Sequence, residues 1–551
     1  MTSAEPPEVP RRVMRQLIES LTYEGALRPE ADGAGWRVTG RAGDRPVVYR
    51  WTARRRFSFD RVRLGPDPVR RTVAGETATE ATSPRLFLTE IGPLLTADPE
   101  RRQAFATELE RTIANDTQAL RHWRQAGRRA DGASVDDLES LVVDGHPYHP
   151  AYKSRLGFDA ADNAQFGPEF ARLIRPVWVA LHRHLAECSA VRGVEPELLD
   201  DRVVLPVHPW QWRTRATTLA PLLADGALVS LGMGGDDYRA QQSIRSLANV
   251  SRPGQPTLKL ALSIVNTSTA RTLAPHAVAN APLITGWLQR IAARDPHLAT
   301  ELRPVLLGEI MGVAHSPELS AVWRESLHPY LAAGEEAAPF TALVHVDATG
   351  EPFIARWVKD QGVEPWVRRL LAVAVAPVVH FLVAHGIALE AHAQNLILIH
   401  EDGRPRRLGL RDFHDGVRFS VAGLADPAAR PVLRPTPPEH FRVNRNSYLE
   451  AQTDAEVRDF VHDCLFFVNL AELAMFLEDR FDLAAERFWS LARGVVEGHR
   501  RRFPELAGRA ARFDVLAPDV SVEQLTIRRL LPDTDVRVHR VRNPLGLVDV
   551  D

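Results

Sequence analysis

The sequence predicts a multi-domain protein of the α+β or mixed α/β class, and three observations carry that expectation. The chain has 551 residues. Single hydrophobic cores stop growing at roughly 250–300 residues, so two or three packed units are expected. The composition, 45% hydrophobic and 25% charged, is that of an ordinary folded protein and excludes a largely disordered or collagen-like chain. Short alternating apolar runs are interleaved with longer stretches of helical spacing, and no repeat of roughly 20–50 residues is present.

In chain order, residues 1–10 are polar and proline-rich and should fray. Residues 47–51 alternate as a strand, and 105–125 have helical spacing. Residues 143–156 form a loop with two His-Pro pairs, Gly145-His146-Pro147-Tyr148-His149-Pro150, followed by Lys153 and Arg155. Residues 169–191 read as an amphipathic helix, on which His182 and His184, two apart, would not share a face. Residues 202–212 read as a buried strand running into a His-Pro-Trp-Gln turn, with Trp210 and Trp212 as packing anchors. Residues 258–265, 306–313 and 340–346 read as further strands, 242–250 joins them if it too is extended, and 363–386 reads as a long helix. Residues 397–400 and 407–410 make a hairpin around Asp402-Gly403. A proline-rich loop spans 431–439, and 454–477 and 483–502 are helical.

The formal charge is −2, from 68 basic and 70 acidic residues. A protein that coats nucleic acid carries a basic excess, so that class is disfavoured. Cys188 and Cys464 stand far apart with no C-x-x-C setting, which argues against a disulfide framework or a zinc–cysteine site. Residues 1–15 hold no apolar signal core, so the expected location is the cytoplasm. The longest apolar run, 370–389, contains Pro377, His380 and His385 and follows Arg368-Arg369. It reads as a buried core helix in preference to a membrane span. Of the basic residues only Lys153, Lys259 and Lys359 are lysine. Where arginine is so dominant, a surviving lysine either marks a need for a compact ammonium or is a leftover without meaning.

Four clusters set polar residues into apolar stretches. The loop 145–158 joins two His-Pro pairs to Lys153 and Arg155; it reads either as an anion grip or as a surface turn with incidental charges. The stretches 242–250 and 258–271 carry Ser243, Arg245, Ser246, Lys259, Asn266, Thr267, Ser268 and Arg271. On a strand Ser243 and Arg245 would share one face, and such hydroxyls and cations suit phosphate or polycarboxylate. The third cluster is Glu390, His392, Gln394 and Asn395, and the fourth Arg411, Asp412 and Asp415. An Asn before a hairpin and an Asp after it is the layout of kinase-like nucleotide sites, where the two hold magnesium against triphosphate oxygens. The run Gly232-Met233-Gly234-Gly235 lacks the dinucleotide spacing, and no P-loop, H-E-x-x-H or G-x-S-x-G is present.

The ordered motifs are a His-Pro loop with Lys153, HPWQ, S-x-R-[ST], K-x-x-x-S-x-x-x-T-S-x-x-R, EAH-x-QN and RDF. From about Gly145 to Arg418 they resemble the NRPS-independent siderophore synthetases of the aerobactin-synthetase (IucA/IucC) type. Asn543-Pro544-Leu545 is similar to that family's C-terminal Asn-Pro-Leu. The resemblance implies a cupped hand of thumb, fingers and palm, here 1–142, 143–346 and 347–551, with a distantly kinase-like palm. It implies ATP- and Mg²⁺-dependent condensation of a carboxylate, commonly citrate, with an amine or alcohol, and a possible homodimer. By position it assigns Ser243, Arg245, Ser246, Lys259 and Arg271 to phosphate and carboxylate, and His146 and Lys153 to the nucleotide loop. Thr267, His392, Gln394 and Asn395 line the same cleft. Glu390, Asn395 and Asp412 are the expected metal ligands, and Lys259, Arg271 and His392 the expected catalytic groups, with Thr267, Arg271 and His392 touching substrate. Ser246 stands where threonine is common, and His414-Asp415 where a plainer glycine-rich turn is expected. Two rivals stay open: a small-molecule phosphotransferase releasing ADP, and a non-catalytic binder of citrate or a siderophore.

Overall fold

The computed structural model describes residues 8–549 apart from 128, 129, 131, 268, 443, 444, 446 and 533. The expected fraying of residues 1–10 stops short, because a helix already starts at Glu8. In that helix, Glu8–Tyr23, Val9, Val13, Met14, Leu17, Ile18 and Leu21 recur at helical spacing and are buried. They share a core with an antiparallel five-stranded sheet that contains the predicted strand, Arg45–Trp51. The predicted helix runs over Pro99–Ala126. Asp98 starts it by accepting the N–H groups of Glu100 and Arg101, and Gly127 ends it at φ +57°.

The middle of the chain builds two main sheets beside a two-stranded hairpin of Leu262–Asn266 and Thr269–Arg271. In the larger, the strands run in the order Glu187–Ala190, Glu309–Ser316, Leu319–Arg324, Thr257–Leu260, Ser246–Asn249, Tyr238–Ala240 and Leu173–Ile174. In the smaller, Arg202–Val207 pairs with Val177–His182, which pairs with Leu228–Met233. The helix expected over 169–191 is therefore strand. Pro176 denies a helix its hydrogen bond, and Val177, Val179 and Leu181 alternate inward to one core. His182 ends that strand and His184 sits in the turn after it, so the helical face argument for the pair lapses.

Several expected strands are broken, each at an identifiable residue. The run 258–265 divides at Ala261 into Thr257–Leu260 and Leu262–Asn266, which belong to different sheets. The run 242–250 is strand only from Ser246; before it Ile244 sits at φ +65° in a tight turn. The run 306–313 divides at Gly308. Val305–Leu307 pairs in parallel with Arg404–Arg411, whereas Glu309–Ser316 joins the large sheet. The run 340–346 is a short 3-10 helix, Phe340–Val344, after the strand Glu336–Pro339. The expected HPWQ turn is a short helix, Pro209–Thr214, whose first available N–H, that of Trp210, donates to His208 Nδ1 at 3.1 Å.

The third sheet has the order Val305–Leu307, Arg404–Arg411, Leu396–Glu401 and Glu336–Pro339. Its central hairpin turns at Asp402-Gly403, both at positive φ as that tight turn requires. The long helix Val363–His380 packs on Arg404–Arg411 and on the helix Ala485–Arg502. Leu370, Leu371, Ala374, Val375 and Val378 are all buried there, so the apolar run is core helix. Each such aliphatic side chain contributes about 1.5–3 kcal/mol. A helical run from Asp454 to Phe481 packs on the helix Ala485–Arg502. Cys188 and Cys464 are both free.

Candidate functional site

The site is built where the large sheet meets the central hairpin of the third sheet. In the large sheet Ser246 stands opposite Lys259, and Thr257 opposite Arg324, which in turn stands opposite Glu309. Residues directly opposite share a face, as do residues two apart. Ser246, Lys259, Arg324 and Glu309 therefore all project from one side. That side meets Asp412, the first residue after the strand Arg404–Arg411, held at φ +64°. Asp412 Oδ1 lies 3.0 Å from Lys259 Nζ and 2.7 Å from Arg324 Nη1. Against the cost of burial, Lys259, Arg324 and the adjacent Arg411 hold the Asp412 carboxyl well below the ordinary carboxylate range.

Glu309 locks the turn after Asp412. Its Oε2 accepts the N–H groups of Phe413 at 3.2 Å and His414 at 2.8 Å, and its Oε1 pairs with His414 Nδ1. His414 lies between Glu309 and Asp415, and although burial opposes its charge, the carboxylates raise its pKa to about 9. Sequence reading missed Arg324 and Glu309. The one signal available for Glu309 was an acid inside an apolar strand; Arg324 gave none, because its role comes from strand pairing. The unexpected His414-Asp415 pair is this lock.

Asn395, whose carbonyl accepts the Arg411 N–H at 3.1 Å, donates Nδ2 to the Glu390 carbonyl and to Glu390 Oε2, both at 3.1 Å. Burial, with the charges of Asp412 and Asp415 adding to it, pushes the Glu390 carboxyl up to about 7 despite Arg418. His392 Nε2 lies 4.0 Å from Glu390 Oε2, and burial beside His146 lowers its pKa to about 4, so the ring is neutral. Gln394 is half-buried, and its carbonyl accepts from Arg411 Nε at 2.9 Å. Arg245 Nη1 donates to Thr272 O and Arg271 Nη2 to Asn266 O, each at 2.8 Å. Burial and the charge of Arg245 bring the Arg271 pKa down to about 10, which leaves it a cation at neutral pH. Ser243 Oγ and Ser246 Oγ are buried without a hydrogen-bond partner, as donors awaiting a ligand would be. The expectation that Ser243 and Arg245 share a strand face falls with the turn at Ile244. Thr267 sits in the next turn at φ +62°; Ser268 lies outside the described residues.

The loop 145–158 divides. His146 Nδ1 accepts the N–H groups of Tyr148 at 3.2 Å and His149 at 3.1 Å, and burial lowers its pKa to about 4. Lys153 Nζ is engaged by Asp116 at 2.6 Å, Glu169 at 3.1 Å and the Val143 carbonyl. Arg155 is likewise held by Glu169 and Asn163. Both cations close on the protein's own acids, so the loop is braced from within and is not an open anion grip. Of the three lysines, Lys153 and Lys259 are buried and Lys359 is exposed. Gln211 of HPWQ donates Nε2 to Ser263 Oγ and accepts from Ser263 N, which pins the strand leading to Asn266 and Arg271.

Residues 134–345 match the family model described as IucA / IucC family, and 364–537 the one described as ferric iron reductase FhuF-like transporter. A Staphylococcus aureus protein named 2-[(L-alanin-3-ylcarbamoyl)methyl]-3-(2-aminoethylcarbamoyl)-2-hydroxypropanoate synthase is 38% identical, over 98% of this chain and 93% of its own. A Bacillus anthracis citryl-spermidine/3,4-dihydroxybenzoyl-citryl-spermidine:spermidine ligase is 36% identical over the same shares, 98% and 93%. Among solved structures, the petrobactin biosynthesis protein AsbB of Bacillus anthracis superposes with a TM-score of 0.90 at 35% identity, over 98% of this chain and 95% of that one. ATP-bound aerobactin synthetase IucA of Klebsiella pneumoniae shares the fold, with a TM-score of 0.75 at 18% identity over 97% and 99%.

Proposed function

Because the chain belongs to the IucA/IucC family of siderophore synthetases, we propose that it activates a carboxylate with ATP and joins it to an amine, releasing AMP and pyrophosphate. The carboxylate is citrate, a citrate derivative or another dicarboxylate, and an alcohol is the alternative acceptor. Citryl and amine groups appear in the names of the relatives, and one structural neighbour was solved with ATP. The observation that carries the reading is the meeting of Lys259 and Arg324 on one oxygen of Asp412.

The chemistry follows from charge. A carboxylate and a triphosphate repel each other, so a site that joins them must be cationic and pre-formed. Lys259, Arg245 and Arg271 supply that charge, and the unpartnered Ser243 and Ser246 hydroxyls supply neutral donors. The carboxylate oxygen attacks the α-phosphorus, pyrophosphate leaves, and the acyl-adenylate is taken by the amine, with AMP as the second leaving group. Holding these partners in line is worth at most about 7–11 kcal/mol of the barrier. In this reading neutral His392 orients the carboxylate or stabilises the tetrahedral intermediate. Glu390, Asn395 and Asp412 fit Mg²⁺: all three carry the hard oxygen donors it takes, and Glu390 is a half-buried acid whose carboxyl desolvation pushes up, with Asp412 and Asp415 adding to it, a cost that a divalent ion would relieve. Mg²⁺ bound there would draw charge off the phosphate oxygens.

The test is a pyrophosphate-release screen of carboxylates against polyamines, amino acids and amino alcohols, with nucleotide products resolved. AMP with pyrophosphate is the expected outcome. ADP with a phosphorylated product would make the chain a phosphotransferase, and no turnover with any carboxylate would make it a binder. The same reading treats 1–142, 143–346 and 347–551 as thumb, fingers and kinase-like palm of a cytoplasmic homodimer, whose mass in solution checks the last point.

A further inference from the structure

Away from the cleft, the end of the helix Pro275–Arg294 meets the end of the helix Val363–His380, and imidazoles gather around one carboxylate. Asp295 Oδ2 lies 3.0 Å from His380 Nε2 and 2.9 Å from His385 Nε2. One ligand atom from each of the three residues falls within 4.8 Å of the others. His380 Nδ1 lies 2.9 Å from His499 Nε2. His297 stands edge-on to His380, with ring centroids 4.9 Å apart. Its Nδ1 is buried without a hydrogen-bond partner, 3.5 Å from a Glu301 carboxylate that Arg502 already holds.

The backbone bends to make this cluster. In an α-helix, residues five apart stand about 140° from one another around the axis, so His380 and His385 would diverge. The helix instead widens over Phe381–His385 into an i→i+5 turn, which brings both imidazoles to the same side. Such turns are rare and concentrate at functional sites.

We propose that Asp295, His380 and His385 bind one divalent first-row transition ion of the Zn²⁺ or Fe²⁺ type. Two imidazoles with a carboxylate, leaving positions open, is the ligand set these ions take, and it is a poor one for Mg²⁺ or Ca²⁺. Ligand atoms about 2.1 Å from one ion and at right angles are about 3.0 Å apart, which is the spacing of both Nε2 atoms from Oδ2. An ion on His380 Nε2 requires the proton on Nδ1, and His499 Nε2 is in place to accept it, the usual outer support of a metal-bound histidine. The ion would tie the helix that packs on the large sheet to the C-terminal helical core, a structural role that does not depend on the proposed reaction.

The experiment uses the full chain, stripped with a chelator and titrated with Co²⁺ and then Zn²⁺. One equivalent of Co²⁺ should give visible ligand-field bands, Zn²⁺ should displace it, and Zn²⁺ should raise the melting temperature. Asp412→Asn should keep the bands, because the cleft carboxylates are a separate site. Asp295→Asn and His385→Ala should lose both the bands and the Zn²⁺-dependent shift. With Mg²⁺ present and no transition ion added, His385→Ala should still release pyrophosphate at the wild-type rate measured under the same conditions, which shows that it is folded. Absence of stoichiometric bands in the wild type, or bands that survive in folded His385→Ala, would overturn the proposal and leave Asp295 as a hydrogen-bond acceptor alone.

Discussion

Lys259 is a position where an ammonium fits and a guanidinium does not. It is 2% exposed, and its Nζ sits between Asp412 at 3.0 Å and Glu309 at 3.8 Å. Arg324 already occupies the remaining approach to the same Asp412 oxygen. A planar fork needs room in one plane that this corner lacks. Both Lys259→Ala and Lys259→Arg should therefore lower pyrophosphate release about 100-fold or more, the usual effect of deleting one charge-stabilising donor. The fold should survive, since Arg324 still holds Asp412 and His414 still holds Glu309. Arg271→Ala should behave alike. Wild-type adenylate trapping by hydroxylamine in these variants would remove the residues from the site. Lys153→Met should show the opposite split. Its ammonium neutralises Asp116 and Glu169 inside the protein, so the loss should fall on stability, on the order of 3 kcal/mol. A denaturation midpoint that does not move would count against that role.

At the scale of elements, the turn 412–416 sets the site, and Gly416 sets the turn. A Cβ at Gly416 would collide with the Asp412 carbonyl oxygen and lie 3.1 Å from Glu390 Cβ, and the Gly416 carbonyl accepts the Glu390 N–H at 2.8 Å. Gly416→Ala must move Asp412 or Glu390, so activity should fall as far as in Lys259→Ala while far-UV circular dichroism stays unchanged. Near-normal turnover would mean the turn adapts. The elements that position this turn differ in how far they could be read in advance. The hairpin was legible because Asp402-Gly403 is a local turn signal. The helix from Val363 and the helical run from Asp454 were legible because their apolar spacing is long. The strand Val177–His182 was not, since six residues of alternation are outweighed by helix formers on both sides. The break at Ala261 was invisible because both halves are apolar and differ only in which sheet they join. Lys259, Asn395 and Asp412 were legible as residue types in order. Arg324, Glu309 and the His414 lock were not, because strand register and a step between sheets bring them together, and no local pattern encodes either.

The whole molecule is held together by contacts between its two ends. Leu530 sits in the core of the N-terminal unit, Asp98 N donates to Leu530 O at 3.2 Å, and Arg61 and Arg63 pair with Glu472. Glu24 is the most demanding of these ties. It is 4% exposed and accepts the N–H groups of Thr526 at 3.0 Å and Ile527 at 2.8 Å and the Tyr148 hydroxyl at 2.8 Å. Burial outweighs these donors and pushes its carboxyl from the ordinary 4.5 up to about 7. Below pH 4.5 the group is protonated folded or unfolded and costs nothing. Between 4.5 and 7 the unfolded chain gives up the proton and the folded one keeps it, so stability is lost as pH rises, and the loss levels off above 7. Glu24→Gln keeps the amide oxygen as acceptor and cannot ionise. Relative to that variant, the wild type should lose on the order of 3 kcal/mol between pH 4.5 and 7.5, read from denaturant midpoints in a common buffer series. The comparison cancels every other titrating group, so parallel pH profiles for the two proteins would mean that the ends of the chain are joined at Glu24 by an ordinary carboxylate.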